Sequence, residues 1–190
     1  MMEELKNIRK TFNLYASTLG ILVLAGIISR YNLRFNLVQE KMKIFGFVVY
    51  PEYVSAIIGI LFGTFAVVLY LQVRLLRIGL QRYDTEASDD SRQAAIAVMY
   101  FPWVSSPFHK SNLGGVLFWC SIGFGCAILA WVSIAHILLL IKTGNETAFR
   151  MIGYFDLGIL IVSLIVLWLT KNSIREVRRL VTSMVADQKL

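Results

Sequence analysis

The chain has 190 residues, 57% of them hydrophobic and only 16% charged, with a formal net charge of +7. Soluble domains carry about 45–50% apolar and about 25% charged residues, so this composition excludes an ordinary soluble enzyme, a disordered regulator and a disulfide-stapled secreted domain. A mean hydropathy of +0.64 indicates instead an integral membrane protein.

The basic excess is not a nucleic-acid patch, because the cations flank apolar segments. That distribution sets membrane orientation and meets anionic headgroups, so lipid is the expected partner and nucleic acid is not. Cys120 and Cys126 share one apolar run, have no metal-ligand spacing with a histidine, and read as small packing residues. The first apolar stretch lacks a small-residue cleavage site and is expected to persist as a helix.

About 20 apolar residues cross a bilayer as a helix. Four segments meet that length: 11–29, 53–73, 111–141 and 151–170, the last holding a single acid, Asp156. The expected fold is an all-α integral membrane protein, one four-helix transmembrane domain over 1–190. The N-terminal tail, the 74–110 connection and the 171–190 tail carry three, five and five basic residues, against four in 30–52 and two in 142–150. The excess predicts that both termini face the cytoplasm, in a plasma or bacterial inner membrane.

The external loop 30–52 is expected to form a β-hairpin-like element. Leu33, Phe35 and Leu37 alternate with Arg34 and Asn36, and Met42 and Ile44 alternate with Lys41 and Lys43, around a polar break at Gln39, Glu40 and Lys41. An irregular loop in the headgroup layer is the competing reading.

On the cytoplasmic side, Arg74, Arg77 and Arg82 place the second helix running out of the membrane. Asp84, Glu86, Asp89 and Asp90 lack the spacing and glycine of a calcium loop and read as solvated and capping acids. A helix is predicted from Asp89 to Phe101, stopped by Pro102. Trp103, Phe108 and two prolines beside Lys110 then suggest a segment at the membrane surface. In the tail, Ile174, Val177, Val181 and Met184 fall on a 3–4 spacing opposite Arg175, Arg178 and Arg179. It either extends the fourth helix and packs on the second, or lies on anionic lipid. Arg74, Arg77, Arg175, Arg178, Arg179 and Trp103 are the candidate lipid or partner contacts.

Membrane helices associate through small residues and buried polar contacts. Ser55, Gly59 and Gly63 form such a row in the second span; Gly115, Gly125, Cys126, Ser133 and His136 do so in the third. Asp156, Ser163 and Thr170 recur every seven residues in the fourth, and Asn13, Ser17 and Gly20 form a weaker stripe in the first. The plain reading is helix packing; the functional one is a polar-lined path. His136 and Asp156 each lie about 9 Å inside a helix end on antiparallel neighbours, so they are candidates for a buried hydrogen-bonded pair. Asn145 opens a glycosylation sequon on the expected external side.

Nucleophile-elbow, zincin and phosphate-loop motifs are absent from the sequence, and two histidines offer little for a metal or haem, so no cofactor is expected. Nor does any proline interrupt a span, as broken transporter helices require. The favoured function is a non-enzymatic multi-span subunit that assembles as a homo-oligomer or with larger partners, in one version as a pore-like membrane effector. The alternative is a small proton-linked transporter using Asp156 and His136, and third comes an intramembrane enzyme.

Overall fold

The computed structural model describes residues 2–34, 42–44, 47–49, 51–85, 89–108, 112–138 and 146–186; side chains are described over a narrower set that leaves out 19, 21–34, 42–44, 47–49, 51–55, 83–85, 89–92, 112, 135–136, 146 and 148–149. The described chain is helical apart from one pair of short strands and the 100–108 segment. In order it runs α1 (Met2–Arg34), β1 (Met42–Ile44), β2 (Phe47–Val49), α2 (Pro51–Thr85), α3 (Asp89–Met99), α4 (Asn112–Ile137) and α5 (Glu146–Ala186).

Local chemistry sets most of these limits. Glu3 and Glu4 lie in the first turn of α1, where they favour the positive end of the helix dipole. Pro51 opens α2, where its missing N–H costs nothing, and Arg82 sits in the last turn. The Tyr100 N–H donates to the Ile96 carbonyl at 3.0 Å to close the last turn of α3. That helix stops at Met99 and not at the expected Phe101, because a residue preceding proline is pushed out of the helical region.

Among the described residues three helices are long and apolar enough to cross a membrane, over Ala56–Arg82, Leu113–Ile134 and Arg150–Ala186. The first expected span, 11–29, lies within α1, but its side chains beyond Gly20 fall outside the described residues. At 1.5 Å per residue the 35-residue α2 is about 50 Å long and the 41-residue α5 about 60 Å. The hydrocarbon core is about 30 Å thick, so each helix has length to spare outside it.

The expected hairpin is corrected in position. Leu33 and Arg34 belong to α1, and the strands pair antiparallel further on, with Met42 opposite Val49 and Ile44 opposite Phe47. The expected turn at Gln39–Lys41 lies outside the described residues, as do the two residues between the paired strands. Phe35 and Leu37 lie outside the described residues.

The chain divides into two compact units. The first comprises Met1–Leu14, Phe65–Gly123 and Leu164–Leu190. Its core gathers Leu5, Ile8 and Phe12 of α1, Leu69, Val73, Leu76 and Leu80 of α2, Ala94, Ala95 and Val98 of α3, Phe118 and Ile122 of α4, and Ile174, Val177, Val181 and Met184 of α5. The tail thus continues α5 and packs its apolar stripe inward. The second unit comprises Tyr15–Thr64 and Phe124–Ser163, with Tyr15, Phe62, Leu129, Ser133, Asp156, Leu160 and Ser163 buried. The stripe expected on α1 is corrected: Asn13, Ser17 and Gly20 are exposed, and the inward row is Leu5, Ile8, Phe12 and Tyr15. Four large apolar side chains at 3–4 spacing bury far more area than three small polar ones.

Candidate functional site

Two arrangements gather the polar and charged side chains, one in each unit. In the second unit α2 and α5 meet along small residues. A Cβ added at Gly59 would lie 2.8 Å from Asp156 Oδ1, and one at Gly63 would lie 3.2 Å from Ile159 Cγ2 and 3.6 Å from Ser163 Oγ. As Gly59 leads to Gly63, Asp156 leads to Ser163, so the helices run parallel there. Asp156 is 0% exposed and Ser163 is buried, placing a carboxyl and a hydroxyl against a glycine-lined helix face. The GxxxG row is thus filled by α5 of the same chain. Ser55 lies on α2 with its side chain outside the described residues, and His136 likewise on α4, so the expected His136–Asp156 pair falls outside the described residues.

On α4, Gly125 faces Tyr15 of α1 so closely that a Cβ there would coincide with the phenol oxygen. Tyr15 also packs on Phe62, with ring centroids 5.9 Å apart. One turn from the His136 backbone, buried Ser133 donates to the Leu129 carbonyl at 2.7 Å, a bond within its own helix. Its hydroxyl proton is therefore committed and does not prime a nucleophile.

In the first unit the 100–108 segment forms a strap between α3 and α4. The Trp103 N–H donates to the Phe101 carbonyl at 2.7 Å, the Ser106 N–H to the Trp103 carbonyl at 3.0 Å, and the Phe108 N–H to Ser106 Oγ at 3.3 Å. These bonds satisfy polar backbone that the buried Phe101, Trp103, Ser106 and Phe108 carry inside. The lipid or partner contact expected of Trp103 is corrected: its ring is buried within the chain, edge-on to Phe12 at 5.4 Å and to Phe118 at 6.0 Å, which stack on each other at 4.9 Å. Two aromatic partners, themselves stacked, give the indole more contact than an exposed position offers.

Two arginines from distant parts of the chain hold the strap by proline carbonyls. Arg9 Nη1 donates to Pro102 at 3.1 Å and Arg178 Nε donates to Pro107 at 2.7 Å. Gly114 lets the strap approach α4, since a Cβ there would lie 2.7 Å from the Ser106 carbonyl and 2.8 Å from that of Val104. Gly115 leaves room for Arg178, whose Nη2 would stand 3.1 Å from a Cβ. Nearby, Gln72 Nε2 donates to Thr11 Oγ1 at 3.0 Å, and Arg77 forms an ion pair with Glu176. Arg74, Arg175 and Arg179 are exposed.

The residues Arg9, Phe12, Phe118, Gly114 and Gln72 have no motif to single them out. The one readable signal is the Gly114–Gly115 pair at the head of a span, close behind Pro107, which indicates a near backbone approach. Among the described residues no group of three His, Cys, Asp or Glu side chains could hold a metal ion. The acidic patch and the Asn145 sequon have side chains outside the described residues. Comparison with protein-family models, curated proteins and solved structures finds no match to this chain.

Proposed function

We propose that this chain is a non-enzymatic membrane subunit with four spans, an external hairpin and cytoplasmic termini, and that it assembles with copies of itself or with a larger membrane partner. The observation that carries the reading is the build of the first unit. α2 and α5 have length beyond the hydrocarbon core, and arginine-to-carbonyl bonds from α1 and α5 hold the strap. Such a unit is a rigid platform rimmed with exposed basic residues, suited to presenting a surface and not to turning over a substrate. Along their lengths α2, α4 and α5 expose Ile60, Leu71, Phe124, Trp131, Ile165 and Trp168, as lipid-facing helices do.

Topology and assembly are tested together. In a chain carrying Cys120→Ala and Cys126→Ala, single cysteines at Lys6 and in 142–150 should react with impermeant maleimide from opposite faces of sealed vesicles. Labelling from the same face would refute the four-span arrangement. A detergent-solubilised particle with the protein mass of one chain, and no co-purifying partner, would refute assembly.

Proton-linked transport through Asp156 and His136 is the second reading. One observation favours it: a fully buried carboxyl in a membrane-length helix is costly and often functional. Equal proton-coupled flux in proteoliposomes of wild type and Asp156→Asn would remove it.

A further inference from the structure

The last turns of α5 carry an open depression of about 340 Å³ lined by Arg178, Arg179, Thr182, Ser183 and Ala186. That volume lies within the range of about 300–1,000 Å³ typical of small-molecule sites. We infer that it seats the headgroup of an anionic phospholipid whose phosphate carries a polyol, of the phosphoglycerol or phosphoinositol kind. The inference rests on the membrane reading above.

Three observations define the ligand. First, the two guanidinium groups bring positive charge, and among the described residues no acid lines the depression; the neighbouring Glu176 is engaged by Arg77. Arg178 is held in place by the Pro107 carbonyl through Nε, with Nη2 close over Gly115, which leaves Nη1 to meet a phosphate. Arg179 is exposed.

Second, both hydroxyls have already spent their protons. Thr182 Oγ1 donates to the Arg178 carbonyl and Ser183 Oγ to the Leu180 carbonyl, each at 2.8 Å. What they turn outward is lone pairs, so they accept and do not donate. A phosphodiester group by itself offers only acceptors to them. A polyol headgroup brings hydroxyl donors beside its phosphate and satisfies both halves of the site. An ammonium headgroup also donates, but it would stand beside two guanidinium charges.

Third, the depth is right. Arg178 lies level with Gly115, in the first turns of the membrane-length helix α4, whose Leu113 and Val116 are exposed. On α2, exposed Leu75 and Ile78 flank Arg77, which pairs with Glu176. These apolar residues mark the edge of the hydrocarbon at the height of the arginines. Thr182 lies about 6 Å further along α5, where the polar end of a headgroup extends beyond its phosphate.

The test uses the full chain in detergent with short-chain phosphatidylglycerol, phosphatidylserine and phosphatidylcholine, and with inorganic phosphate, binding read by calorimetry. Phosphatidylglycerol should bind about fivefold or more tighter than phosphatidylserine at equal charge, as one accepted hydrogen bond predicts. Phosphatidylcholine and inorganic phosphate should bind more weakly than either. Arg179→Gln should weaken both anionic lipids by about fivefold, the value of one interfacial cation. Thr182→Val with Ser183→Ala should reduce phosphatidylglycerol to the level of phosphatidylserine and leave the latter unchanged. Both substitutions sit on an exposed helix face, and an unaltered thermal midpoint verifies folding. Equal binding of the two anionic lipids by wild type overturns the assignment, as does equal loss of both in the hydroxyl variant. Inorganic phosphate binding as tightly as lipid would make this a free-anion site. A chain that stays dissolved without detergent would refute the membrane reading itself, a result separate from these.

Discussion

Three glycines on α2 offer a test of the α2–α5 seam within one helix. Replacing a helical glycine by alanine removes backbone freedom from the unfolded chain and is worth about 0.8–1.0 kcal/mol. At Gly79 an added Cβ meets nothing within 4 Å, so that gain stands alone. At Gly59 the same Cβ would lie 2.8 Å from Asp156 Oδ1 and 3.6 Å from Ile159 Cδ1. Overpacking of this kind costs about 1–3 kcal/mol, which turns the substitution neutral to about 2 kcal/mol destabilising. Gly63 is intermediate, because its neighbour at 3.2 Å is the aliphatic Ile159 Cγ2, which can yield by a few tenths of an ångström. For a chain of this size about 1 kcal/mol moves the midpoint by about 2–4 °C. Thermal unfolding in detergent, followed by far-ultraviolet circular dichroism, should therefore rank Gly79→Ala above wild type, Gly63→Ala near it and Gly59→Ala at or below it. Asp156→Ala empties the space the new methyl needs. In that background Gly59→Ala should cost less, with a coupling of about 0.5–3 kcal/mol. Equal stabilisation by Gly59→Ala and Gly79→Ala would refute the close approach of Gly59 to Asp156.

Other substitutions probe the remaining contacts. Trp103→Ala should cost about 3–5 kcal/mol by emptying the aromatic cluster, whereas Val104→Ala beside it should stay within about 0.5 kcal/mol; thermal midpoints separate the two. Arg178→Met leaves the Pro107 carbonyl without its charged donor, a loss of about 1.5–3 kcal/mol, and should speed proteolytic cleavage within 100–108. Arg77→Gln should cost under about 1 kcal/mol, because the side chains of Arg77 and Glu176 are 35% and 43% exposed, and the cost should shrink as salt is raised. Gly125→Ala should destabilise strongly by displacing the Tyr15 hydroxyl, and Tyr15→Phe in the same chain should restore part of the loss; no recovery in the double variant would show that the ring, not the hydroxyl, occupies the space.

Much of the content of α2, α4 and α5 was legible along the chain, whereas the inward face of α1 was not. Apolar length depends only on neighbouring residues, so the three membrane-length helices, the outward run of α2 and the inward stripe of α5 through Asp156, Ser163, Ile174, Val177 and Val181 could all be read from spacing. The hairpin strands were anticipated but misplaced, because alternation at Leu33–Leu37 competes with an α1 that has not yet ended. Which surfaces meet was decided only by tertiary structure. Gly59 against Asp156, Tyr15 against Gly125, and Arg9 and Arg178 on the two proline carbonyls join residues far apart in the chain. Periodicity marks a face as inward but names no partner for it. Trp103 shows the difference: beside prolines and a lysine it reads as interfacial, yet Phe12 and Phe118, about ninety residues before and fifteen after it, form the pocket that buries it.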